Sequence, residues 1–155
     1  MLTPDMKRIV QDQPLGYVAT VSADGAPNVS PKGTFFVVDD ATIAFAEIRS
    51  PATIRNLQNN PRVEVNFVDP FVRKGYRFAG TAKILLRGEG RFDELLRKSG
   101  SSLAPRVKAI VTISVAKALP LVSPAYDDGT ATEDTIRRSW TARFRKLQPW
   151  ERFEE

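Results

Sequence analysis

Residues 49–57 read Arg49-Ser50-Pro51-Ala52-Thr53-Ile54-Arg55-Asn56-Leu57; an apolar run at 43–48 precedes them and the breaker Asn59-Asn60-Pro61 follows. Ser50 is a favourable N-cap, because its hydroxyl can accept a backbone N–H of the first helical turn. Pro51 suits the first helical position, where a missing N–H costs nothing. The stretch therefore predicts that a strand ends near Ile48 and that a short helix starts at Ser50.

The start of this helix has the features of an anion site. Its first turn offers free N–H groups, the positive end of the helix dipole, and the hydroxyls of Ser50 and Thr53, with Arg49 and Arg55 on either side. A helix N-terminus of this kind can hold a phosphate. An ordinary capped helix with solvated arginines is the commoner interpretation, and these residues alone leave both open.

Length and composition bound the class of protein. At 155 residues, with 42% hydrophobic and 26% charged residues, the chain predicts a single domain over 1–155. Residues 1–10 lack the apolar segment of a signal peptide and no run approaches a membrane span, so we expect a cytoplasmic protein without a membrane partner. The net charge of +5 is spread along the chain, which argues against a nucleic-acid partner.

The chain contains neither cysteine nor histidine. Disulfides, thiolate nucleophiles and cysteine metal sites are therefore excluded, and the commonest general acid–base group and metal ligand are missing. Any reaction needs a borrowed reactive group, which favours a cofactor.

Periodicity and turn residues divide the chain into strands and helices. Alternation predicts six strands, at 15–22, 27–38, 42–48, 62–68, 75–87 and 107–115, with a hairpin turn at Asp24-Gly25. Helices are predicted at 3–11, from Ser50, at 91–99 and at 131–147, the last after a capping-box spacing from Thr130 to Glu133. Few helical crossovers separate the strands, so we expect a mainly β protein, an antiparallel sheet closed into a small barrel with flanking helices.

The second predicted strand has one polar face, formed by Asn28, Ser30, Lys32 and Thr34. Pro31 and Gly33 do not suit a central, fully paired strand; they indicate an edge, a bulge or a close approach of the backbone to a ligand. A polar wall facing a ligand and a solvent-facing edge strand both fit this pattern.

These residues follow one another in an order that resembles a known family. The matching segments are Val18-Ala19-Thr20-Val21-Ser22 with Asp24-Gly25 and Pro27, Ser30-Pro31-Lys32-Gly33, Phe45-Ala46-Glu47 leading to Ser50, and Asn59-Asn60-Pro61-Arg62-Val63. The series resembles the pyridoxamine 5′-phosphate oxidase-like family of FMN-binding split barrels. The resemblance implies a six-stranded antiparallel split β-barrel and a homodimer with FMN at the subunit interface.

The resemblance also implies which residues bind the cofactor. The flavin would be lined by Ser30, Pro31, Lys32, Gly33 and Thr34, and its ring or ribityl chain would touch Ala46 and Glu47. The phosphate would be held by Ser50, Thr53 and Arg55. The second subunit would contribute Arg73, Lys74 and Tyr76.

Several positions depart from the family pattern. Ser30 stands where the oxidase has a phosphate-binding arginine, and Ala52 and Thr53 replace basic residues at the helix start. The oxidase's substrate-binding histidine and arginine pattern near the C-terminus is not evident, so pyridoxamine phosphate is not the expected substrate.

The leading hypothesis is an FMN-dependent oxidoreductase acting on an unknown small-molecule substrate or electron donor, with Lys32 near the N1–O2 or N5 region of the ring. The alternatives are a split-barrel reductase using a deazaflavin, a non-catalytic flavin-binding module, and a barrel that binds nucleic acid or a protein partner. Haem is disfavoured because histidine and cysteine ligands are absent, although tyrosine and methionine remain.

Overall fold

All strands of the molecule pair antiparallel in one sheet. The structure is a computed structural model that describes residues 1–148, so the last seven residues of the predicted domain, 149–155, lie outside the described residues. Its strands are β1 (Gly16–Val21), β2 (Pro27–Lys32), β3 (Phe35–Val37), β4 (Thr42–Glu47), β5 (Arg62–Asp69), β6 (Lys74–Leu86) and β7 (Ala109–Val122). Its α-helices are α1 (Pro4–Asp12), α2 (Pro51–Asn59), α3 (Phe92–Ser99) and α4 (Glu133–Leu147), with short 3₁₀ turns at Ala104–Arg106 and Pro124–Tyr126.

The hydrogen-bonded order of the strands is β2-β1-β5-β6-β7-β4-β3, so β2 and β3 lie at the two ends. These end strands are nevertheless separated in the chain by Gly33 and Thr34 alone. The sheet is curled, with helices at its flanks, which confirms the predicted mainly β fold of the split-barrel type.

The structure has seven strands where six were predicted, because the segment 27–38 divides in two. Residues up to Lys32 pair with β1, whereas Phe35–Val37 pairs with β4. At the joint, the Thr34 hydroxyl donates to the Ala46 carbonyl at 2.6 Å, and the Ala46 N–H donates to the Thr34 carbonyl at 3.3 Å. A change of hydrogen-bonding partner explains the break that Pro31 and Gly33 indicated.

Aromatic side chains fill the interior of the sheet. Phe45, Phe67 and Phe78 are fully buried, and Phe35 stacks edge-on to Phe67 at 4.9 Å between ring centroids. A Cβ at Gly16 would lie 2.5 Å from a ring atom of Phe35, so β1 can pass this packed cluster only because glycine has no side chain. A second cluster buries the apolar stripe of α3 against β4 and β7.

Most predicted element starts are confirmed, whereas the start of the last helix and the end of the last strand are corrected. Thr3 caps α1 by accepting the Met6 N–H. The last helix begins later than predicted, because the capping box joins Thr132 to Thr135 and not Thr130 to Glu133. The last strand runs on to Val122, where it still pairs with Lys74 at the start of β6. No helix within residues 1–148 has the length and apolarity needed to cross a membrane.

Candidate functional site

Strand β2 presents a polar face to the inside of the sheet. Ser30 is half-buried and Lys32 is buried, whereas Val29 on the opposite face is 63% exposed. This is the alternation predicted for the second strand. It orders Asn28, Ser30 and Lys32 in a line beneath α2, which contacts both β1 and β2.

Lys32 and Glu47 form a buried ion pair at the end of β4. Their side chains are 8% and 5% exposed, and Lys32 Nζ lies 3.8 Å from Glu47 Oε2. Lys32 also donates to Ser30 Oγ at 2.8 Å. The Glu47 carboxylate accepts hydrogen bonds from both the backbone N–H and the hydroxyl of Ser50. We call Ser30, Lys32, Glu47 and Ser50 the lysine–glutamate cluster.

Burial dominates the electrostatics of this cluster. Removal of the ammonium group from water lowers the pKa of Lys32, and the neighbouring Glu47 carboxylate only partly opposes that effect. A buried pair of this kind adds little net stability, but loss of one partner leaves an uncompensated charge in the interior.

Ser50 therefore differs from its prediction. It occupies the N-cap position before Pro51, as expected, but its side chain makes no capping hydrogen bond to the first turn. The hydroxyl is instead turned toward Glu47 and donates its proton to that carboxylate. The negative group beside this helix start is thus the protein's own carboxylate.

A cavity of about 320 Å³ opens beside the cluster. We call it the lysine cavity. It gathers most of the residues that the resemblance assigns to the flavin ring and ribityl chain: Pro31, Lys32, Gly33, Thr34, Ala46 and Glu47. Two exposed cations, Arg49 and Arg106, lie at its rim.

A second cavity, of about 510 Å³, lies between α2 and the β1–β2 turn; we call it the hairpin cavity. Arg55, which was predicted to hold phosphate, lines this space together with Ala52 and Asn28. The Asn28 Oδ1 atom is buried without a hydrogen-bond partner among residues 1–148. The predicted phosphate residues are thus divided, because Ser50 joins the lysine–glutamate cluster and Thr53 is buried within α2.

The three residues assigned to the second subunit lie elsewhere in the chain. Arg73 stacks 4.3 Å above the Trp140 ring, Lys74 pairs with Glu133 at 2.9 Å, and Tyr76 donates to an Asp5 carboxylate oxygen at 2.7 Å. Two strands, β1 and β5, separate their strand from β2. Within one chain they do not join either cavity.

Some lining residues were not predicted from the sequence. Leu103 and Arg106 reach the lysine cavity from the connection between α3 and β7, where no motif marks them. Asn56 was also missed; its amide donates to Thr20 Oγ1 at 3.0 Å beneath the hairpin cavity. Within the described part of the chain, no group of three or more carboxylates could hold a metal ion.

Comparison with known proteins places this geometry in a family. The family model for pyridoxamine 5′-phosphate oxidase matches residues 2–125. The crystal structure of tagged HupZ from Group A Streptococcus is 34% identical, covers 79% of this chain and 96% of its own, and superposes with a TM-score of 0.71. No functionally curated protein matches the sequence.

More distant structures share the fold. An FMN-binding protein from Syntrophomonas wolfei is 17% identical over 77% of this chain and 86% of its own, with a TM-score of 0.65. The heme storage protein HutZ from Vibrio cholerae is 22% identical over 78% and 94%, with a TM-score of 0.59. An F420 reductase is 20% identical over 76% and 98%, with a TM-score of 0.55. The fold thus occurs in proteins described with three different cofactors.

Proposed function

The chain belongs to the pyridoxamine 5′-phosphate oxidase family, and from this premise we propose that it binds FMN along the inner face of β2 and acts as a flavin-dependent oxidoreductase. The observation that carries the proposal is the polar line from Asn28 to Lys32, which joins the hairpin cavity to the lysine cavity. Its ends are four residue steps apart along the strand, a distance of about 13 Å. An extended ligand with a phosphate at one end and a ring at the other suits this trough.

The hairpin cavity is the better place for the phosphate. Asp24 also lines this cavity, but Arg55 has no carboxylate within 4 Å among the described residues, so its charge is available there. Ala52 lines the same cavity from the first turn of α2, where backbone N–H groups lack helical partners. The donors of Ser50 are already engaged by Glu47.

The lysine cavity then takes the ring. Bound FMN would supply hydride or electron transfer, and the protein would supply binding, orientation and charge. The Lys32 ammonium would stand near the N1–O2 edge, where positive charge stabilises the anionic reduced ring. Gly33 is exposed and has no side chain, so its backbone is accessible to the ring.

A homodimer is part of the proposal. The outer face of β1, β2 and β7 carries exposed apolar side chains, among them Tyr17, Val29 and Leu119. Exposed apolar side chains grouped on a protein surface commonly mark an interface. A second copy seated there would bring its own Arg73, Lys74 and Tyr76 toward the cofactor, as the resemblance implies.

Titration of the purified protein with FMN and with riboflavin tests the proposal. We expect the fluorescence of FMN to be quenched on binding and the melting temperature of the protein to rise. We expect Arg55→Gln to weaken FMN binding about tenfold and to leave the binding of riboflavin, a ligand without the phosphate, unchanged. Lys83→Gln removes an exposed cation away from both cavities and serves as the matched control. A purified protein that is colourless and whose melting temperature does not change on addition of FMN would contradict the proposal.

Two further readouts separate the alternatives. Reduction of the bound flavin by NADH or NADPH would support an enzyme over a flavin-binding module. A lower reduction potential of the bound flavin in Lys32→Ala would support a positive charge near the ring. An unchanged reduction potential and an unchanged FMN affinity would show that Lys32 does not contact the flavin. Tighter binding of a deazaflavin or haem than of FMN would overturn the choice of cofactor.

A further inference from the structure

Basic residues flank three neighbouring strands at the same end of the sheet, where β6 and β4 finish and β7 begins. Leu86 of β6 pairs with Ala109 of β7, and Ala109 pairs with Glu47 of β4. Just beyond this row the chain continues into Arg87 after β6, enters β7 from Lys108, and reaches Arg49 after β4. The antiparallel order thus brings together cations that are far apart in the sequence.

These cations surround a cavity of about 610 Å³, which we call the basic cavity. Arg106 joins it from the 3₁₀ turn that precedes β7. Its lining therefore holds four cations, Arg49, Arg87, Arg106 and Lys108, and no carboxylate; the other lining residues are Ile48, Pro105 and Val107.

One of the four cations is held in place by the fold. Arg87 donates to the carbonyls of Ala104 at 3.2 Å and Val107 at 2.8 Å, and its guanidinium lies 5.3 Å from the centre of the Phe92 ring. The other three have no carboxylate within 4 Å in the part of the chain that the structure describes. Exposed cations grouped in this way favour an arriving anion.

We propose that the basic cavity binds a small molecule carrying two or more phosphate groups, and that this molecule is a dinucleotide electron donor. The assignment of the donor rests on the proposed flavin site. Arg49 and Arg106 line both the basic cavity and the lysine cavity, so a pyrophosphate held in the first places an attached ring at the mouth of the second. The chain has no glycine-rich dinucleotide fingerprint, so side-chain cations, not a backbone cradle, hold the phosphates.

Binding of inorganic pyrophosphate and of NADPH to the FMN-loaded protein tests this proposal. The variant Arg106→Gln/Lys108→Gln removes two exposed cations of the basic cavity. Because Arg106 also lines the lysine cavity, FMN affinity is measured in the same variant, and Lys108→Gln alone, which leaves every residue of the lysine cavity in place, is measured beside it. The matched control, Lys83→Gln/Arg97→Gln, removes two exposed cations outside the cavities described above. We expect Arg106→Gln/Lys108→Gln to weaken the binding of pyrophosphate and of NADPH at least tenfold, and the control to weaken it less than twofold.

Each outcome bears on a separate part of the proposal. Equal weakening by both variants, or no binding of pyrophosphate to the unaltered protein, would overturn the anion site. Selective loss of pyrophosphate with no binding of NADPH would overturn the dinucleotide, and tighter binding of a short DNA duplex than of either ligand would identify a nucleic-acid surface instead. Failure of FMN to bind, with the selective loss of pyrophosphate intact, would refute the flavin site and leave the basic cavity as an anion site.

Discussion

The lysine–glutamate cluster and the basic cavity use positive charge in opposite ways, although Arg49 lines both the basic cavity and the lysine cavity beside the cluster. In the cluster, a buried lysine faces a carboxylate 3.8 Å away, and Ser50 donates to that carboxylate. In the basic cavity, four exposed cations face one another across about 610 Å³ with no carboxylate in the lining.

The difference shows where charge maintains structure and where it is available to a ligand. A buried charge needs its partner, because the interior does not solvate it. Exposed cations remain hydrated without a partner, so their clustering costs little and can serve an arriving anion. The cluster should therefore govern stability, and the basic cavity should govern affinity for anions.

The largest test of this comparison is Glu47→Ala. Removing the carboxylate leaves the Lys32 ammonium buried without a counter-charge, in contact with the Ser30 hydroxyl and the Phe45 ring, so we expect the free energy of unfolding to fall by about 3 kcal/mol. Urea denaturation with a linear extrapolation measures the change. The comparison variant Arg49→Ala, in the basic cavity, should lower the free energy of unfolding by less than about 0.5 kcal/mol, because that side chain is exposed. Equal losses of unfolding free energy in the two variants would contradict the distinction between a buried pair that maintains the fold and exposed cations that do not.

Salt gives a second, smaller contrast. Raising NaCl from about 50 mM to about 300 mM should weaken pyrophosphate binding roughly fivefold, because the Debye length falls from above about 10 Å to below it and exposed charges are then screened more strongly. The stability difference between the unaltered protein and Glu47→Ala should change little over the same range, since a buried pair is poorly screened. Isothermal titration calorimetry and urea melts at both salt concentrations provide the two readings. A salt-insensitive pyrophosphate affinity would mean that the cations of the basic cavity do not bind it.

Alkaline pH should give the smallest effect. Burial lowers the pKa of Lys32 below its ordinary value of 10.5, so the folded protein releases this proton at a pH where the unfolded chain still holds it. Between the lowered pKa and 10.5, the unaltered protein should therefore gain stability relative to Lys32→Met as the pH rises. The two proteins are compared by urea denaturation at successive pH values. A relative loss of stability over that window would show that the ion pair outweighs burial.

Local signals in the sequence were sufficient for most elements of the fold, although not for the division of 27–38, the end of the last strand or the start of the last helix. Asp24-Gly25 marks the first hairpin, where Gly25 has a φ of 86°, and Pro51 marks the start of α2. Alternation on β2 predicted the polar face that the structure displays. These features depend on residues that are close together in the chain, so the identities of those residues are enough to predict them.

The remaining features depend on which distant residues meet. The hydroxyl of Ser50 was expected to cap α2, but the folded β4 brings Glu47 to it. The basic residues looked dispersed, and only the pairing of β6, β7 and β4 collects Arg87, Lys108 and Arg49 at one edge. Spacing in the chain cannot show such a gathering, because it follows from strand order and register. Whether the thirteen predicted cofactor residues bind FMN stays a prediction.

The two-residue joint at Gly33 and Thr34 has a consequence for the curvature of the sheet. Laid flat, strands β2 and β3 would be six strand spacings apart, about 29 Å, whereas the chain from Lys32 to Phe35 reaches about 10 Å. The sheet must therefore close on itself wherever all its pairings form, whatever fills its centre. Substitutions that loosen the aromatic interior can swell this cylinder, but covalent connection prevents them from unrolling it.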